Sequence, residues 1–148
     1  GLNLSVLFAR FDREARAFDA ITAQVRPGAL IQHLVVRHGS RVATHAVYVH
    51  YAALAAMRAN GVPSFSLAID PSFPVNHKPG AKPPGSPWEW RPLEFTWDEV
   101  ARHYDHYLTR GAPPSERLFG THAGEVEVAA KVDDWVLYRR REPVNTSD

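Results

Sequence analysis

The sequence contains no cysteine. That excludes disulfides, thiolate metal sites and thiol catalysis, and leaves the redox compartment open. Charge of one sign is also lacking: 17 Lys+Arg stand against 16 Asp+Glu, a formal net charge of +1. Such a balance creates no general field for nucleic acid, so no nucleic-acid partner is expected. No apolar run reaches the ~18 residues that suggest a membrane span. No glycine-rich phosphate loop is present either, since Gly39 stands alone after the first apolar strand.

What is there is an ordinary globular composition over 148 residues. That length predicts one domain, and it buries enough surface for a core without staples. We read residues 1–142 as a single α/β domain and 143–148 as a disordered tail. Eight histidines make the charge sensitive to mild acid. Seven of the 12 prolines fall in 70–95, together with Trp88 and Trp90. This stretch reads as one long irregular loop, because proline removes backbone donors from helices and interior strands.

The core of the chain is a strand–helix–strand unit from Ala29 to Asp70. Residues 29–36 are apolar and β-branched at their end. Thr44 to Asn60 is alanine-rich, closed by Gly61. Residues 64–69 form a second apolar stretch. Two strands joined by a helical crossover run parallel, with a right-handed connection. Before them, 10–26 predicts an amphipathic helix with Phe11, Ala15, Phe18, Ile21 and Val25 on one face. Arg13, Glu14, Arg16 and Asp19 are placed off that face. Thr96-Trp-Asp-Glu99 resembles a capping box opening a short helix. Tyr104 to Thr109 alternates like a third strand, and Ser115 to Gly120 reads as one helical turn. Residues 125–132 and 135–140 predict a hairpin turned by Asp133-Asp134. The expected fold is a three-layer, Rossmann-like α/β sheet, with three parallel strands and a carboxy-terminal antiparallel hairpin.

Parallel strands gather their carboxyl ends at one edge, where open α/β sheets bind ligands. Arg37, His38, Ser40, Arg41, Asp70 and Arg110 are the candidate substrate or anion-binding residues there. The amino terminus of the Thr44 helix is expected beside them. The competing expectation is an Asp70–arginine pair that closes the edge. Trp88 and Trp90 either pack the long loop down or form a surface for a partner, a lipid interface or a sugar ring. No cofactor is implied. No metal site is predicted: His45 and His50 point away from each other on a helix, and a helix-to-strand switch separates His103 from His106.

Three pieces together carry a resemblance. They are the helix ending at Gly28 before an apolar strand, His50-Tyr51 leading through Gly61 to Ser64-Phe65-Ser66, and Tyr104-Asp105-His106-Tyr107-Leu108 with Arg110-Gly111. A hairpin of the form Val-x-Val … Trp-x-Leu-Tyr closes the order. This resembles the soluble carboxy-terminal domain of bacterial multi-pass membrane glycosyltransferase-like proteins. Their membrane part is similar to lipid-phosphate-sugar-dependent mannosyl- and arabinosyltransferases. The resemblance implies an accessory domain on the extracytoplasmic, periplasmic face of the membrane. Its partner would be the membrane-embedded portion of its own parent chain, with a sugar or lipid-phosphate as possible ligand. It brings no catalytic residue to this sequence. The alternatives are a small stand-alone enzyme acting on an anionic or glycosyl substrate at the strand edge, with Asp or His as base, and an interaction module using the Pro/Trp loop; the alternative location is the cytoplasm.

Overall fold

The computed structural model describes residues 4–66, 68, 72, 74, 77, 80 and 85–141. One open sheet of five strands organises them, in the order β2-β1-β3-β5-β4. The strands are β1 (Leu30–Val35), β2 (Val62–Pro63), β3 (His106–Arg110), β4 (Val126–Val132) and β5 (Trp135–Arg140). β1 pairs in parallel with both β2 and β3. β5 runs antiparallel to β3 and β4, so the sheet is mixed.

Alternation along the strands sends successive side chains to opposite faces. Ile31 and Val35 of β1, Leu108 of β3 and Trp135 and Leu137 of β5 share one face. Two helices cover it, α1 (Leu4–Thr22) and α2 (Tyr51–Arg58). Phe18 and Ile21 of α1 and Ala52, Ala55 and Ala56 of α2 are buried there. The alanines of α2 let its backbone lie close to the strands. Leu34, Tyr107 and Tyr138 point to the other face, against Trp97, Leu118 and Phe119. Short pieces cover that side: a 3-10 turn at Ala101–His103, the five-residue α3 (Ser115–Phe119) and a second 3-10 turn at Gly120–Glu125.

Several expected boundaries move. Helix α1 starts six residues before the predicted 10 and ends at Thr22 rather than 26. Its last turn closes with Thr22 bonding back to the Asp19 carbonyl. The crossover helix begins at Tyr51, not Thr44. Residues 41–50 form bends and turns instead. Ser40 Oγ accepts from the Val42 and Ala43 amides at 2.9 and 3.0 Å, which holds the chain out of a helix. Val47 and Val49, β-branched, add to the preference. The second strand is Val62–Pro63, ahead of the predicted 64–69: the Ser64 amide makes the last rung, to Ile31 O at 2.7 Å, and the His33 amide then bonds Ser64 Oγ at 2.8 Å in place of a backbone carbonyl. Positions 67, 69 and 70 of that stretch lie outside the described residues, as does the tail from 142. Thr96 bonds the Glu99 side chain at 2.9 Å and opens a turn rather than an α-helix. Among the described residues no helix is long and apolar enough to cross a membrane.

Candidate functional site

The parallel register fixes what meets at the strand carboxyl edge. Val35 of β1 pairs with Arg110 of β3, and Arg110 pairs with Trp135 of β5. Arg37, Arg110 and the Asp133-Asp134 turn therefore arrive at the same end. Arg110 shares the parity of Leu108, so its side chain enters the face under α1 and is buried. Its guanidinium donates to the carbonyl oxygens of Arg37 and Gly39. It also pairs with Glu14 at 3.3 Å and Asp134 at 3.4 Å, and lies 4.1 Å from the Tyr48 ring centre. Burial pulls the Arg110 pKa down, and Asp134, Tyr48 and Glu14 oppose that pull.

Glu14 is the centre of this edge. Its carboxylate accepts from Ser40 Oγ at 2.9 Å and from the Arg41 amide at 3.0 Å, besides Arg110. The loop after β1 is thus an anion cradle, and a carboxylate of the chain itself occupies it. The sequence reading places Glu14 off the apolar face of α1, and the structure corrects this. At about 100° per residue, Glu14 falls among Phe11, Phe18 and Ile21. The spacing carries the signal, since a carboxylate inside an apolar stripe needs a buried partner. Asp134 closes the other side, 2.9 Å from Arg37 and 3.7 Å from Arg41. It takes the closing role assigned to Asp70, which lies outside the described residues. The expected helix amino terminus does not stand at Thr44 beside the cradle, because α2 begins at Tyr51. A cavity of about 340 Å³ borders it, with Arg10, Arg13 and Arg41 on its wall.

His38 leaves this group. Its Nε2 lies 3.1 Å from the carbonyl oxygen of Glu89, which His33 Nε2 also reaches at 3.2 Å. Each ring therefore donates from Nε2, and the loop at 85–90 is tied to β1 through two imidazoles. Desolvation lowers the His33 pKa to about 4, helped by the neighbouring His38 and His50 rings. The Glu89 side chain, 3 % exposed, pairs with Nδ1 of His50 at 2.8 Å, while His50 is 71 % exposed. Burial raises the Glu89 pKa, and His50 draws it back. Trp90 packs edge-on to His38 with ring centres 5.0 Å apart, and Trp88 packs on Trp90. Both tryptophans remain about half exposed, at 55 % and 48 %. Sequence reasoning names Trp88, Trp90 and His38 but misses Glu89, which sits between the two tryptophans in the chain.

The histidine pairs stay apart in role. His103 ends a 3-10 turn while His106 lies in β3, its Nδ1 2.7 Å from Asp105. Among the described residues no three His, Asp or Glu side chains are grouped to hold a metal ion. No family model matches the chain, and no curated protein or solved structure matches it.

Proposed function

We propose that this chain is a non-catalytic accessory domain of a membrane-bound glycosyltransferase-like protein, facing the periplasm. Its sheet is read as the core of a three-layer, Rossmann-like arrangement, with α1 and α2 as one outer layer and the short helical pieces as the other. The observation that carries the reading is Glu14 in the anion cradle. The strand edge, where an α/β enzyme would hold its substrate, is filled by a carboxylate and braced by Arg110 and Asp134. An edge neutralised in this way supports a structural role. The partner is the membrane-embedded portion of the same parent chain, as the resemblance implies.

A second reading, an enzyme on a glycosyl substrate, is favoured by one observation. The buried Glu89 carboxylate orients the exposed His50 ring through Nδ1. Nε2 is left as the acceptor, the arrangement of a general base. That moves the enzyme alternative from the strand edge to the surface around His50 and Glu89.

One titration separates the two readings. Inorganic phosphate, sulfate and a nucleotide-sugar are added to millimolar levels, and melting temperature and tryptophan fluorescence are followed. The accessory reading expects no response from the wild type. It expects Glu14→Gln to gain stabilisation by sulfate, because Ser40, the Arg41 amide and Arg110 lose their resident anion. A wild-type shift abolished by Arg37→Ala or Arg110→Ala would return the strand edge to the enzyme reading. Sugar-dependent quenching lost in His50→Ala would favour the second site.

A further inference from the structure

The first two turns of α1 carry large apolar side chains that stay exposed. Leu4, Leu7, Phe8 and Phe11 continue the apolar stripe of the helix and face the loop residues Val42, Ala43 and Val47, and Phe11 also stacks on Tyr48. They line an apolar groove of about 280 Å³. Leu4 is 67 % and Phe8 69 % exposed. Val6 is exposed as well. Directly beside this groove lies the cavity lined by Arg10, Arg13 and Arg41, and Val42 belongs to both walls. Arg10 and Arg13 form no hydrogen bond or ion pair among the described residues. The Arg41 guanidinium is largely exposed and makes a long contact, 3.7 Å, to Asp134. The acids facing the cavity are Glu14, Asp133 and Asp134. Glu14 and Asp134 are already paired with Arg110.

We infer that this end of α1 is a docking surface for an anionic lipid bilayer. Apolar side chains insert at the headgroup boundary while Arg10, Arg13 and Arg41 meet the lipid phosphates. Interfacial helices combine the same two features, large apolar residues and flanking basic ones, without spanning the membrane. Charge decides against a second copy as the occupant. A two-fold contact sets residue i of one copy against residue j of the other, and on this wall Asp133 alone is an acid not already paired with Arg110, against the three arginines Arg10, Arg13 and Arg41. A bilayer rich in anionic lipid supplies the missing charge at every position. The inference deepens the accessory-domain reading by naming what the domain rests against.

The test is flotation of the purified chain with vesicles of phosphatidylcholine alone and with about a third phosphatidylglycerol. The expected result is binding to the anionic vesicles, weak binding to the neutral ones, and loss with rising salt. Arg10→Gln and Arg13→Gln should each weaken binding roughly fivefold, as expected of a basic residue near the surface. Leu4→Ser with Phe8→Ser should abolish it. These side chains are exposed, and circular-dichroism melts of each variant check that the fold persists. Equal binding to both vesicle types, or binding unmoved by the variants, overturns the proposal. So does a concentration-dependent dimer broken by Phe8→Ser in a protein that binds no vesicle. The accessory reading fails separately: it requires apolar spans in the reading frame upstream of Leu2, whatever the vesicles show.

Discussion

Arg110 shows how one side chain sets the character of an edge. A buried guanidinium costs several kcal/mol of desolvation unless it is paired and hydrogen-bonded. Here two carbonyls, two carboxylates and an aromatic face answer it. Its Nε alone stays without a hydrogen bond. Removal of one partner from such a cluster is costlier than never having built it. Arg110→Met should therefore lose about 3–5 kcal/mol. The double variant with Glu14→Leu should recover part of that loss, because it removes the carboxylate left unpaired. Urea unfolding of the four proteins in the cycle measures both quantities. A loss below about 1 kcal/mol in the single variant would mean the pairs are worth no more than exposed ones. Glu14 was open to sequence reasoning through its place in the helical stripe. Asp134 was legible only as a turn residue, since its partner Arg37 lies 97 positions away and nothing local encodes that distance.

At the scale of elements, the joint between α2 and β2 is the most tightly specified. Helix α2 ends with Asn60 at φ 50°, and the amides of Asn60 and Gly61 reach back to Met57 and Ala56 at 3.3 and 2.8 Å. This is a Schellman ending with asparagine, not glycine, in the left-handed position. Gly61, which reads in the sequence as the helix stop, is needed for another reason. A Cβ there would sit 2.2 Å from the carbonyl oxygen of Ala29. That same oxygen accepts the Val62 amide at 2.8 Å and starts the β1–β2 ladder. Gly61→Ala must push the two strands apart, and overpacking of this kind costs about 1–3 kcal/mol. Asn60→Gly should be neutral or slightly stabilising, since it relieves the left-handed strain. Thermal melts of both variants test the assignment, and a Gly61→Ala variant as stable as the wild type would refute it. The elements that the sequence revealed were those with a strong local pattern: the alanine-rich helix, the β-branched first strand and the alternating hairpin at Asp133-Asp134. The boundaries it misplaced, at Thr44 and at 64–69, are set by two serine hydroxyls: Ser40 Oγ, which holds the amides of its own loop and bonds Glu14, and Ser64 Oγ, which takes the His33 amide across the sheet.

For the whole molecule, the buried titratable groups bound the pH range of stability from both sides. On the acid side His33 is held neutral, its pKa lowered to about 4 from 6.5. Between those values the unfolded chain binds a proton that the fold refuses, so stability rises with pH through the window. Its contribution is complete above about pH 6.5 and is lost as pH falls towards 4, amounting to about 3 kcal/mol. Glu89 works in the opposite sense. Its raised pKa means that the fold accepts a proton more readily, which returns some stability as pH falls. On the alkaline side burial raises the pKa of Tyr48, Tyr104 and Tyr107, that of Tyr104 to about 12. A raised value keeps stability intact below the ordinary tyrosine pKa of about 10 and removes it as pH rises further. The melting temperature should therefore form a plateau from about pH 7 to 9 and fall on both flanks. The acid flank should drop by roughly 10 °C for a domain of this size, given about 2–4 °C per kcal/mol. His33→Gln isolates the cause: without a titrating ring at the centre of β1, the acid fall should flatten while the alkaline fall is unchanged. An acid flank as steep in His33→Gln as in the wild type would show that His33 does not cause the loss and assign it to the carboxylates.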